Sequence, residues 1–178
     1  MELPKYSRWE HERKFLVHRD MISRFSGKSC WLIEDKYFEV GRLRLRAITE
    51  FPSGRQTFKL CKKFASDSAY SAPMVNIYLS QEEYEGLKAM PGRALAKHRY
   101  HDDFQGHKFA VDFFLGDLSN LAMCEVECES ESELMTVEWP DYAMVEVTTN
   151  PFFTGGFLCR VNCASLNEKL QRTFPKLT

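Results

Sequence analysis

Residues 9–17 read WEHERKFLV, a run of charge that passes into an apolar end. In an extended chain, alternate side chains take opposite faces. Glu10, Glu12 and Lys14 then share one face, and His11, Arg13 and Phe15 share the other. A strand that gathers two carboxylates and an ammonium on one side raises the question of what that side faces.

The same alternation recurs along the chain. In GRLRLRAI, Arg42, Arg44 and Arg46 fall on one face and Leu43, Leu45 and Ala47 on the other. In LAKHRY, Lys97 and Arg99 share a face. In AMCEVECES, Glu125, Glu127 and Glu129 lie opposite Cys124, Val126 and Cys128. In TFKLCKK, Lys62 falls with Phe58 and Leu60, opposite Lys59, Cys61 and Lys63, and the pattern alone leaves the parity of this strand open. A sheet with one face in water also alternates. Such a face mixes charge signs, however, whereas here two strands are basic and one acidic. Three carboxylates in a row repel one another unless a cation sits among them.

A closed barrel with a charged interior accounts for the segregation. Glu10, Glu12, Glu125 and Glu127 offer oxygen ligands to a hard divalent cation such as Mg2+ or Mn2+. Lys14, Arg44, Arg46, Lys62, Lys97 and Arg99 offer guanidinium forks and ammonium groups to a chain of phosphates. Composition agrees with a folded domain: 178 residues, 13% aromatic, formal net charge −1. That net charge gives no broad attraction for duplex nucleic acid or an anionic membrane. No apolar run reaches the roughly 20 residues that cross a bilayer. MELPKYSRWEHERK has no apolar signal core, so the expected location is the cytoplasm. The cysteines at 30, 61, 124, 128, 159 and 163 read as reduced packing residues rather than a disulfide framework or zinc knuckle.

Strand-like stretches fall at 9–17, 30–39, 42–49, 56–63, 74–79, 95–101, 108–115 and 122–129, many separated by turn formers. SQEEYEGLKAM at 80–90 predicts a short helix with Ser80 as N-cap and Glu83 in a capping box. Residues 18–25 and 163–174 predict two more, and 130–135 a turn. The expected fold is α+β: one domain over 1–178, an eight-stranded antiparallel closed β-barrel with a few short helices outside it.

The charged motifs, in their order, resemble the CYTH or triphosphate tunnel metalloenzyme superfamily, most closely its short bacterial-type members. E-x-E-x-K appears as Glu10, Glu12 and Lys14; R-x-R as Arg44 and Arg46; F-x-x-x-K as Phe58 and Lys62, which selects Lys62; K-x-R-Y as Lys97, Arg99 and Tyr100. FAVDFFLG brings Asp112, and the late E-x-E is Glu125 and Glu127. The resemblance implies a tunnel that takes triphosphate compounds with Mg2+ or Mn2+. The expected activity is metal-dependent hydrolysis of inorganic tripolyphosphate or a nucleoside triphosphate such as ATP, by a monomer or homodimer. Metal would fall to Glu10, Glu12, Glu125 and Glu127; Glu127, Glu129, Asp112 and Lys14 would serve catalysis. The alternatives are a module that binds a triphosphate without turnover and a class IV-type adenylate cyclase. Two stretches depart from the family pattern. Ala72, Met74 and Asn76 stand where charge is expected, and Phe153 and Gly155 stand where a base and a Tyr-x-Asn stretch are usual.

Overall fold

The computed structural model describes residues 3–174. Eight antiparallel strands form the wall: β1 (Arg8–Val17), β2 (Cys30–Phe38), β3 (Leu43–Phe51), β4 (Gln56–Lys63), β5 (Ser71–Leu79), β6 (Gly92–Phe104), β7 (His107–Phe114) and β8 (Ala122–Cys128). Their order is β5-β4-β3-β2-β6-β7-β8-β1, and the pairing of β5 with β1 closes the sheet into a barrel. A ninth strand, β9 (Ala143–Glu146), lies outside the eight expected ones. It pairs with Phe15–Val17 of β1, beyond the Arg8–His11 segment that pairs with β5. The β6–β7 hairpin turns through Gln105 and Gly106, both with positive φ, which a two-residue hairpin loop requires.

Helices decorate the outside: α1 (Gln81–Lys88), α2 (Glu131–Leu134), α3 (Gly155–Leu158) and α4 (Cys163–Thr173). The predicted capping box holds. Ser80 Oγ accepts from the Glu83 amide at 3.2 Å, and Glu83 Oε2 accepts from the Ser80 amide at 2.7 Å. Residues 19–25 form 3-10 turns rather than an α-helix. No helix among the described residues is long and apolar enough to cross a membrane.

Two of the three hydrophobic clusters sit around the barrel, and the third closes one side of its interior. Phe15, Phe109, Val111, Phe113, Cys124 and Val126 point outward from β1, β7 and β8 and pack with Phe25, Leu134, Val137 and Tyr142. Leu45 and Ala47 on the outside of β3 are covered by Tyr84 of α1. A third cluster joins Leu16, Leu95, Phe114 and Met123, which follow the inward charges along their strands, to Phe153, Leu158, Leu166 and Leu170 of the C-terminal segment. It gives the interior an apolar wall at one side. All six cysteines are free.

Because outward burial supplies the packing energy, a cavity cut there should cost stability without touching the inward charges. Phe113 is fully buried against Phe25 and Tyr100. Phe113→Ala should lower the unfolding free energy in urea by about 3–5 kcal/mol.

Candidate active site in the barrel lumen

The strand parity sends Glu10, Glu12 and Lys14 inward from β1, Arg44 and Arg46 from β3, Lys97 and Arg99 from β6, and Glu125 and Glu127 from β8. These side chains line a cavity of about 650 Å3, which joins a second chamber of about 390 Å3 past a shared ring that includes Arg44, Arg46, Arg99 and Glu127. Around the larger cavity five carboxylates face eight basic side chains, so the enclosed volume carries an excess of positive charge.

Two buried aspartates organise the bases. Asp35 on β2 lies directly across from Arg46 on β3 and accepts from its Nε at 2.7 Å and Nη2 at 2.8 Å. Asp112 on β7 lies directly across from Arg99 on β6 and accepts from its Nε at 2.7 Å and Nη2 at 2.6 Å; Lys97 Nζ also donates to it. Arg99 Nη2 reaches on to Glu125 Oε2 at 2.7 Å. Burial pushes the Asp35 carboxyl up, but the Arg46 and Arg44 guanidinium charges outweigh it and hold the group at about 2. Burial likewise pulls Arg99 down, and Asp112 and Glu125 more than offset that, leaving it well above the usual range. Arg44 Nε is buried without a hydrogen-bond partner among the described residues, 3.7 Å from Asp35 Oδ1. A buried donor of this kind is costly unless an acceptor meets it.

The acidic side of the lumen is built from β1 and β8. Their register sets Glu12 directly opposite Glu127 and Lys14 opposite Glu125. Carboxylate oxygens of Glu10, Glu12 and Glu127 lie within 4.8 Å of one another. Lys14 Nζ donates to Glu12 Oε1 at 2.6 Å; Lys63 Nζ donates to the same oxygen at 2.5 Å and to Glu10 Oε2 at 2.6 Å. Burial would raise Glu12, but the Lys14 and Lys63 charges lower it below the usual range. Glu127 has no such cation. Burial, with the charges of Glu10, Glu125 and Glu12, lifts its carboxyl to about 7. Three crowded carboxylates, whose mutual repulsion raises Glu127, are a donor set that fits a hard divalent cation.

No protein-family model and no curated protein sequence matches the chain. Solved structures do. The chain aligns with the inorganic triphosphatase NE1496 at 25% identity and a TM-score of 0.55, over 85% of this chain and 95% of that one. It also aligns with a candidate adenylate cyclase from Bacillus halodurans at 18% identity and a TM-score of 0.51, over 73% and 86%. The chain has the CYTH-type triphosphate tunnel fold.

Within the tunnel, Lys14, Arg44, Arg46, Lys97, Arg99, Glu10, Glu12, Glu125 and Glu127 come together as the sequence pattern proposed. Four positions differ from the expectation. Lys62 is exposed on the outer face with Phe58 and Leu60, its ammonium 5.7 Å from the Phe64 ring; Lys63 is the β4 lysine that lines the larger cavity, and Lys59 lines the second chamber. Glu125 is drawn to Arg99 and does not join the three-carboxylate cluster. Asp112 is fully buried with both oxygens held by Lys97 and Arg99, which makes it an anchor for the bases. Glu129 lies past the end of β8, exposed, outside both chambers.

Sequence reasoning missed Asp35, although a lone acid among the inward-facing Trp31, Ile33 and Tyr37 was its signal. It also missed Arg160 at the cavity rim, a base supplied by the same C-terminal segment in which Phe153 has gone into the core. The uncharged wall is real: Ala72, Met74 and Asn76 face the two chambers from β5. Gly155 has a local reason, since a Cβ there would come 1.9 Å from Tyr37 Oη.

The Asp35 pairing predicts a pH-dependent stability. The folded carboxyl sits near 2 against an ordinary 3.8. Its contribution of about 2 kcal/mol is therefore full above pH 4 and lost as the pH falls towards 2. Urea unfolding should show Asp35→Asn destabilised by about 3 kcal/mol at pH 7, because Arg46 is left buried without its partner. The gap from wild type should narrow steadily between pH 4 and pH 2.

Proposed function

We propose that the tunnel binds a linear triphosphate and hydrolyses one of its phosphoanhydride bonds. The observation that carries this reading is the facing of two acid-anchored basic pairs, Arg44 with Arg46 and Lys97 with Arg99, against the Glu10–Glu12–Glu127 cluster in one cavity. The similarity to an inorganic triphosphatase supports it. A phosphate chain is the polyanion whose oxygens suit several guanidinium forks at once. Inorganic tripolyphosphate is the substrate proposed first, and a nucleoside triphosphate such as ATP second.

In this mechanism Arg44, Arg46, Lys97 and Arg99 hold the phosphate oxygens, and Asp35 and Asp112 fix the angle at which the bases are presented. Arg44 Nε finds in a phosphate oxygen the acceptor it lacks among the described residues. Lys14 and Lys63, paired with Glu12 and Glu10 on the acidic side, neutralise charge that develops on the transferring group. Glu10, Glu12 and Glu127 would hold a divalent cation, Mg2+ or Mn2+, which when bound supplies Lewis-acid polarisation of the phosphoryl group. Glu127 Oε orients the attacking water and accepts its proton. Such positioning and charge neutralisation are most of what phosphoryl transfer asks of a protein.

One observation favours a second reading, a module that binds a triphosphate without turnover: the β5 residues that line the two chambers, Ser71, Ala72, Met74 and Asn76, carry no charge. Incubation of the purified chain with tripolyphosphate or ATP, in Mg2+, Mn2+ or chelator, separates the two. Phosphate release should require the metal. Glu127→Gln should lower kcat about a hundredfold, or about 3 kcal/mol of transition-state stabilisation, while tripolyphosphate still binds. Arg44→Ala and Lys97→Ala should weaken that binding. Binding without product in any metal favours the second reading, and cyclic nucleotide formed from ATP would make the chain a cyclase. Normal binding by the Arg44→Ala and Lys97→Ala proteins would remove the tunnel from the account.

A further inference from the structure

Outside the tunnel, a second cluster of ligand atoms sits where β7, β8 and α2 meet. Just beyond the last pair of the β7–β8 ladder, Phe109 with Val126, stand His107 at the start of β7 and Cys128 at the end of β8. One nitrogen of His107, the Cys128 sulfur and one oxygen of Glu133 in α2 lie within 4.8 Å of one another. We propose that these three residues form a zinc site, distinct from the carboxylate cluster in the lumen.

The donor chemistry chooses the ion. Zn2+ accepts imidazole nitrogen, thiolate sulfur and carboxylate oxygen in one tetrahedral shell, at about 2.0–2.3 Å. Mg2+ and Ca2+ want oxygen alone, so the thiol separates this site from the all-oxygen site of the tunnel. Ligand atoms around a bound zinc stand about 3.5 Å apart at those bond lengths. Glu133 is exposed and free to close that gap by rotation. Its Oε2 already accepts from the Glu129 amide at 3.2 Å, the kind of outer hydrogen bond that orients a ligating carboxylate. Water completes the shell. Cys124, the other half of the C-x3-C spacing, is fully buried in the core and takes no part.

The site's place in the fold gives it a structural role. Arg13 Nη1 donates to the carbonyl oxygens of Leu134 at 3.3 Å and Val137 at 3.1 Å, fastening the C-terminal side of α2 to β1. A zinc ion on Glu133 ties the same short helix to β7 and β8. It thereby pins the end of the strand that carries Glu125 and Glu127.

The test uses the full chain, freed of metal by a chelator and titrated with Co2+ as a spectroscopic stand-in for Zn2+. A thiolate-to-cobalt charge-transfer band should grow to one equivalent and be displaced by Zn2+. Cys128→Ser should abolish it, and Glu133→Ala, at an exposed position, should weaken Zn2+ binding at least tenfold. The band should persist in Cys61→Ser, which removes the tunnel thiol, and in Glu127→Gln, which disables the lumen cluster. Zn2+ should raise the Tm of the wild type and not that of Cys128→Ser. Absence of the band, its survival in Cys128→Ser, or its loss in Cys61→Ser would overturn the site.

Discussion

Asp35 and Asp112 are what allow this barrel to be charged on the inside. Each is buried, and each lies directly across a strand pair from an arginine, Arg46 in one case and Arg99 in the other. An isolated buried guanidinium or carboxylate would cost several kcal/mol in lost hydration. A bidentate pair held by adjacent strands returns much of that cost through short charge-assisted hydrogen bonds in fixed geometry. The backbone register therefore does two tasks at once: it closes the barrel, and it aims the bases inward.

With the aspartates as anchors, the lumen retains two groups whose demands are unmet among the described residues, a hydrogen bond for one and a cation for the other. Arg44 Nε is a buried donor without an acceptor, and Glu127 is a carboxylate crowded by three others. They mark a basic side suited to anionic oxygens and an acidic side suited to a cation. A phosphate chain with a divalent ion satisfies both, whereas an apolar ligand satisfies neither and a singly charged one at most one of them. The packing that holds this arrangement rigid lies outside the wall, in Phe109, Phe113, Val126 and their neighbours.

Much of this was legible in the sequence because strands have a period of two. Glu10-Glu12-Lys14, Arg44-Arg46, Lys97-Arg99 and Glu125-Glu127 each keep their charges in register, so parity alone assigned them to one face. Where a strand carries lysines on both faces the rule fails: Lys62 and Lys63 are adjacent, and the apolar Phe58 and Leu60 that share a face with Lys62 prove to be the outer packing. Asp35 escaped because a single charge among Trp31, Ile33 and Tyr37 makes no pattern. Partner choice escaped as well. Local sequence does not tell that Asp112 is spent on Lys97 and Arg99, or that Arg99 draws Glu125 from the carboxylate cluster, since these are contacts between strands. The strand β9 was missed because AMVE is only four residues long and gains its pairing from Phe15–Val17, the end of β1 that β5 does not reach.

A crystal structure of the chain grown with tripolyphosphate tests the central claim most directly. Phosphate oxygens should lie within hydrogen-bonding distance of Arg44, Arg46, Lys97 and Arg99, with Arg44 Nε now donating to one of them and the Asp35–Arg46 and Asp112–Arg99 pairs unbroken. A phosphate chain bound on the outer surface, or a lumen in which those two pairs have come apart to admit it, would contradict the account.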